Sequence, residues 1–146
     1  MISYLTAQAI DVTALAARIT APERGAVVTF SGLVRNHHAG REVVGLEYSA
    51  YDTMAEHVCA AIVGSAESRW KCRVAVQHRL GRLAVGDVAV AVAVGAGHRD
   101  AAFEAARWVI DEIKRHVPIW KREEYTDGTS GWVDPTAPQG MIAASS

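Results

Sequence analysis

Cysteine is scarce in this chain of 146 residues, with Cys59 and Cys72 the only two. Two thiols outside a C-x-x-C pair build neither a disulfide scaffold nor a dithiol redox motif. They read as reduced, partly buried side chains of a cytosolic protein. An excess of charge of one sign is also missing. Fifteen Lys and Arg stand against sixteen Asp and Glu, a formal charge of −1, whereas a nucleic-acid binder normally needs a basic excess to neutralise phosphates. Twelve Gly and four Pro are too few for a collagenous or low-complexity chain. No long uncharged apolar run suggests a membrane span. The first twenty residues lack a basic segment followed by an unbroken apolar core and meet Asp11 and Arg18 instead. No signal peptide is therefore expected, and the cytoplasm is the expected location. What is present is an apolar half: 50% of residues are hydrophobic and 21% charged, which excludes an acidic disordered chain. A chain of this length buries about two-thirds of its unfolded surface as one domain.

Periodicity orders the elements. Ile10, Ala14, Leu15 and Ile19 at helical spacing predict a first helix over Ala7–Ile19, stopped by Pro22. Alternation predicts a strand over Gly25–Val34. After the polar connection Arg35–Gly40, a strand resumes over Glu42–Ser49, and the two are expected to form a long hairpin with a functional loop. Asp52–Arg69 predicts a helix with Met54, Val58, Ala61, Ile62 and Ala66 along its buried stripe. Arg73–Leu80 alternates as a strand. Val88–Val94 sets Val against Ala with no polar residue, the pattern of a central strand covered on both faces. Arg99–Val117 is the strongest helix, with Ala102, Ala106, Val109, Ile110, Ile113 and Val117 facing inward and Pro118 ending it. Ile119–Tyr125 and Gly131–Val133 complete the order α-β-β-α-β-β-α-β-β. Hairpins alternating with single helices predict an α+β domain in which three helices cover a mixed, largely antiparallel sheet. Residues 1–133 are expected to form that domain, and 134–146, rich in Pro, Ala and Ser, a flexible tail.

Three segments carry possible chemistry. Gly95-Ala96-Gly97-His98-Arg99 leaves the central strand and enters the long helix. Free backbone N–H groups and the positive end of a helix dipole attract an anion there, and His98 and Arg99 add donors. The same residues read equally well as a plain strand-to-helix turn with Arg99 solvated. The glycine spacing is not a dinucleotide fingerprint, because Asp100 holds the third glycine position, and no G-x-x-x-x-G-K-[ST] loop occurs.

The second segment runs from Lys114 to Arg122. Cations at a helix C-terminus complement its dipole. Beyond that, a turn at Pro118 with Trp120 as anchor brings Lys114 and Lys121 to one wall of a cleft. Two close ammonium groups lower each other's pKa, which favours a neutral amine able to act as base or nucleophile. The third candidate is Arg35, at the end of the Phe30–Arg35 run. His37 and His38 beside it find no spaced carboxylate or thiol to complete a metal site, so no metal is expected. No G-x-S-x-G elbow occurs, Cys59 lies in an apolar helix pattern, and no facing carboxylate pair stands out. Residue chemistry alone thus reaches an anion pocket lined by Arg, His and Lys, with the substrate unnamed.

Taken together, Gly25–Asn36, His98-Arg99 followed by Ala102-Phe103-Glu104-Ala105, Lys114–Glu123 and Trp132-Val133 resemble the catalytic (large) subunit of molybdopterin synthase, the MoaE family. The resemblance runs from about Ile2 to Val133, and four weak motifs in the family's order make it strong. It implies conversion of cyclic pyranopterin monophosphate (precursor Z) into molybdopterin by insertion of two sulfurs, with no resident cofactor. Each sulfur arrives as a thiocarboxylate on the C-terminal Gly-Gly tail of a small ubiquitin-like partner subunit. It also implies a homodimer with one small subunit at each end, an elongated heterotetramer.

Carried over by motif, Arg35, His98 and Arg99 hold the pterin phosphate, and Lys114 and Lys121 line the site where thiocarboxylate meets substrate. Either lysine serves as general acid/base. Arg122, Glu123, Leu33 and Val34 belong to the same motifs as further substrate contacts. One departure stands out: no Lys or Arg follows Arg122, where some family members carry a basic residue after the Trp-Val pair. Two other readings compete, a non-catalytic module that binds a phosphorylated ligand or a ubiquitin-like tail, and a small ferredoxin-like nucleotide-binding regulator. The presence of both lysines with Arg35, His98 and Arg99 favours the sulfur-inserting enzyme over the first, and the Pro118-Ile119-Trp120-Lys121 segment is not explained by the second.

Overall fold

A computed structural model describes residues 2–133, so the tail expected over 134–146 lies outside the described residues. In chain order the elements are β1 (Leu5–Thr6), α1 (Val12–Ala17), β2 (Ala26–Leu33), β3 (His37–His38), β4 (Arg41–Ala50), α2 (Asp52–Trp70), β5 (Arg73–Arg79), β6 (Gly81–Ala84), β7 (Val88–Ala96), α3 (Arg99–His116), β8 (Ile119–Tyr125) and β9 (Ser130–Val133). The α+β class with three helices holds, but the strands divide into two sheets. The first has the order β1-β5-β7-β2, antiparallel except for the parallel pair β1/β5. The second has the order β3-β4-β8-β9, antiparallel throughout, with β6 also paired to β4.

The Val/Ala alternation of β7 decides what packs on each face. Val90, Val92 and Val94 lie in the main core with α2 and α3, while Ala91 and Ala93 face Leu15 and Ile19 of α1. Large side chains thus meet the two long helices, and methyl groups let α1 close the other side. The anticipated central strand is therefore present, covered on both faces.

Four expectations need correction. The predicted β2–β4 hairpin does not form: β2 pairs with β7 over Ala26–Leu33, and β4 pairs with β8. A central strand must have both ladder edges filled, and β7 takes β2 as its second neighbour. The Leu33–Arg41 connection then carries the chain from one sheet to the other. The first helix begins at Val12 rather than Ala7, because the Asp11 carboxylate accepts from the Ala14 N–H and caps it there. The buried stripe of α2 is Ala55, Cys59, Ile62, Val63 and Ala66, and Met54 faces outward. The short strands β1, β3 and β6 are additional.

Gly95 marks how closely α1 crosses β7. A Cβ added there would stand 2.5 Å from the carbonyl oxygen of Ile19, a backbone atom. Gly95→Ala is expected to destabilise the fold by about 1–3 kcal/mol, because the end of α1 must shift. Gly64→Ala, in α2 with nothing within 4 Å of the added carbon, is expected to stabilise by about 0.5–1 kcal/mol. Urea unfolding of the two variants checks the opposite signs.

Candidate active site

The two sheets meet where β2, β5 and α3 end, and the cleft between them encloses about 140 Å³. Its wall includes Arg35, Tyr48, His78, Lys114, Lys121 and Glu123, with Leu33 and Val34 at the end of β2. Tyr48 belongs to the apolar clusters on both sides of the junction. Lys114 is delivered by the last turn of α3. The chain then leaves helical geometry at Val117 and starts β8 at Ile119, past Pro118. Trp120 packs edge-on against Tyr51, ring centroids 4.8 Å apart, and anchors the start of β8.

Pairing of β4 with β8 then sorts side chains by face. Tyr48 stands opposite Lys121, on the pocket side, whereas Glu47 stands opposite Arg122. Arg122 reaches Glu47 at 3.7 Å and is absent from the pocket wall. Its assignment as a substrate contact is therefore not supported by this placement, since adjacent strand residues point to opposite faces.

Glu123 shares the pocket face with Lys121, but protein groups occupy its oxygens. Oε1 lies 2.8 Å from Nδ1 of His38 and accepts from the Tyr125 hydroxyl at 3.1 Å, while Oε2 is 3.5 Å from Nζ of Lys121. With a side chain only 3% exposed, Glu123 is engaged by these three protein groups and orients Lys121. His38, expected in a polar connection, is instead buried against Glu123. Among the described residues no group of three His, Cys, Asp or Glu side chains is placed to hold a metal ion.

His98 and Arg99 are not in this pocket. His98 is the N-cap of α3, both residues are exposed, and sixteen helical positions separate His98 from Lys114. At 1.5 Å per residue that distance is about 24 Å. Within one chain the two cannot share a phosphate with Arg35, so the expected anion pocket of Arg, His and Lys is corrected to one holding Arg35, Lys114 and Lys121.

Sequence reasoning missed His78 and Tyr48. A signal for His78 exists: it follows Val74 and Val76 at the inward alternate positions of β5. An ionisable ring on the inward face of an otherwise apolar strand is costly to bury, and so marks a position where chemistry outweighs packing.

The electrostatics follow from crowding. Solvent reaches Lys114 through the pocket mouth, yet neighbouring protein desolvates its amine. That desolvation lowers its pKa from the ordinary lysine value, and the positive charges of Lys121 and Arg35 lower it further. Burial drives the His78 pKa down to about 4, with the Lys114 charge adding to the shift and a hydrogen bond to the Arg79 carbonyl opposing it. Burial and the Glu123 charge push Tyr48 up to about 12. At neutral pH the site thus presents a neutral imidazole, an intact phenol, and three basic side chains around a cleft of anion size.

Comparison with known proteins gives consistent matches. A family profile described as "MoaE protein" matches residues 5–116. A "Molybdopterin synthase catalytic subunit" of Nostoc sp. is 50% identical over 111 residues, covering 75% of this chain and 67% of that protein. "Molybdopterin synthase catalytic subunit 1" of Mycobacterium tuberculosis is 43% identical over 130 residues, covering 88% of each. Among solved structures, molybdopterin synthase from Staphylococcus aureus superposes with a TM-score of 0.84 at 35% identity, covering 89% of this chain and 95% of that one.

The buried imidazole has a stability consequence. The unfolded chain takes up a proton on His78 near pH 6.5, whereas the folded chain resists until about pH 4. Folding therefore loses stability as pH falls through that window, by about 3 kcal/mol from this group. Urea unfolding of wild type and His78→Gln at several pH values is expected to show their stability difference shift by that amount against wild type between pH 7 and pH 4. Parallel curves would contradict it.

Proposed function

The chain belongs to the MoaE family, and on that premise we propose that it is the catalytic subunit of a molybdopterin synthase. It converts cyclic pyranopterin monophosphate to molybdopterin with two sulfurs delivered as thiocarboxylate on the C-terminus of a small ubiquitin-like subunit. The observation that carries this reading is the convergence of Arg35, Lys114 and Lys121 on one cleft, with the Lys114 pKa lowered.

Each residue type suits a step. Arg35 presents a planar fork of donors to the substrate phosphate, a bidentate grip that Lys cannot reproduce. Opening of the cyclic phosphate and attack by the thiocarboxylate both develop negative charge, which Lys121, held by Glu123, and Arg35 stabilise in place. Lys114 is the proton-transfer group: its lowered pKa brings the neutral and charged amine closer in free energy, as acid/base work near neutral pH requires. Leu33 and Val34 supply apolar wall beside these groups.

His98 and Arg99 retain a substrate role in this reading only when delivered from a second copy. In a homodimer, the exposed N-terminus of α3 of one protomer serves the pocket of the other. The complex works in the cytoplasm, where Cys59 and Cys72 remain reduced. No helix of the described residues is long and apolar enough to cross a membrane.

Purified protein with precursor Z and a thiocarboxylated small subunit is expected to form the dithiolene product. Lys114→Ala and Lys121→Ala are each expected to lower turnover by about 100-fold or more, and Arg35→Ala chiefly to raise KM. Turnover within a few-fold of wild type in both lysine variants would remove them from the mechanism. A folded protein inactive with its cognate partner would instead favour a module that only binds the phosphate or the tail. Delivery across the dimer has its own check. Mixing Lys114→Ala with Arg99→Ala protomers is expected to restore about a quarter of wild-type activity by random pairing. No recovery would show that Arg99 does not act across the dimer.

A further inference from the structure

Beside the pocket lies a second cavity of about 20 Å³, the room that one water needs. Ile110 and Ile113 of α3, with Val117 just past its end, make part of its wall apolar. Three polar side chains also line it, each from a different element: Lys114 of α3, His78 of β5 and Tyr48 of β4. The same three line the larger pocket, so the small cavity adjoins the candidate site.

The chemistry of His78 is fixed by its surroundings. Its Nδ1 stands 2.9 Å from the carbonyl oxygen of Arg79. A carbonyl only accepts, so Nδ1 carries the proton, and in the neutral ring Nε2 is left with a lone pair. The Tyr48 ring meets the imidazole edge-on at 4.8 Å and holds its plane. His78 therefore offers one fixed acceptor in a site otherwise rich in donors. A water beside it has partners of both kinds, which a buried water requires.

We propose that this cavity is a one-water site through which Nζ of Lys114 hydrogen-bonds to Nε2 of His78, making His78 a positioning residue for that amine. The Lys114 ammonium donates to the water oxygen, and the water donates one of its hydrogens to Nε2. Tyr48 supplies the third partner through its hydroxyl. The relay favours the protonated form of Lys114. It opposes Lys121 on β8 and Arg35 past β2, which together with desolvation favour the neutral amine. Glu123 on β8 is engaged with His38, Tyr125 and Lys121, and His37 lies on the pocket's outer side. Lys114 thus sits between one acceptor relay and two cations, and its proton affinity depends on both. The inference deepens the assignment of Lys114 above and takes its catalytic meaning from it, yet its test needs no turnover.

A high-resolution crystal structure of the protein is expected to show one ordered water within hydrogen-bond distance of both His78 Nε2 and Lys114 Nζ. A cavity without that water overturns the proposal. Acylation of Lys114 by acetic anhydride across pH, read by peptide mass spectrometry, tests the coupling. At a fixed pH below the titration midpoint, His78→Phe is expected to react about tenfold faster, equivalent to one pH unit. His78→Gln, which keeps an acceptor on a planar side chain, is expected to titrate as wild type. If the Phe variant matches wild type, or both variants shift alike, His78 has no positioning role. Should the Phe variant fail to fold, the crystallographic water and the Gln titration decide. Failure of the wild-type protein to form the dithiolene with its cognate partner, or near-wild-type turnover in Lys114→Ala, with this titration intact would sink the catalytic reading and leave the water site standing.

Discussion

β7 has no solvent on either face and no free edge, and most of the architecture follows from satisfying it. Eight of its nine residues are buried, so every backbone N–H and C=O along it must find a ladder partner. β5 fills one edge and β2 the other. The valine face calls for helices with broad apolar stripes, met by α2 and α3, and the alanine face accepts only the short α1. Once β2 and β5 flank β7 and α3 lies across them, Arg35, His78 and Lys114 arrive at one end of the sheet. The second sheet closes that end with Tyr48 and Lys121. The pocket is a by-product of where these elements stop.

Electrically the molecule averages to almost nothing, a formal charge of −1, while the cleft gathers Arg35, Lys114 and Lys121 against one carboxylate. That carboxylate is engaged internally. Glu123 holds Lys121 and ties β8 to His38, 85 residues away. Its three contacts offset part of the cost of burying that carboxylate, and they fix a lysine that solvent would otherwise leave mobile. Lys114 is treated differently, with no ion pair among the described residues to hold its charge. The two lysines are chemically distinct because their neighbours are.

Long periodic segments are legible in the sequence, and pairings between distant ones are not. Arg99–His116 carries its apolar residues at helical spacing over five turns, and Val88–Ala96 has no polar residue at all, so both elements stand out from their own residues. The β2–β4 hairpin fails because adjacency in the chain is the only local guide to pairing, and the needs of β7 outweigh it. β1 and β3, two residues each, are held by backbone hydrogen bonds rather than side-chain pattern. The turn at Pro118 brings Lys114 and Lys121 together as its residues imply. His98 and Arg99 do not join them, because the helix that the sequence already predicts sets them at the opposite end from Lys114, a separation that motif order does not record. The His38–Glu123 pair leaves no local signal.

The pairing of β4 with β8 also bears on how this site can change over generations. Pocket-facing and outward residues alternate along β8, so deleting or inserting a single residue upstream of Lys121 would exchange it for a neighbour on the wrong face. Lys121 and Arg122 would trade places between cleft and surface, and Glu123 would lose His38. Substitutions can be sampled one at a time along this strand, but length changes cannot. The irregularity between Val43 and Gly45 in β4 is the place where an extra residue is already absorbed. Variation in length is thereby channelled to that end of the sheet and to the Thr126–Thr129 turn, and the chemical end keeps its frame.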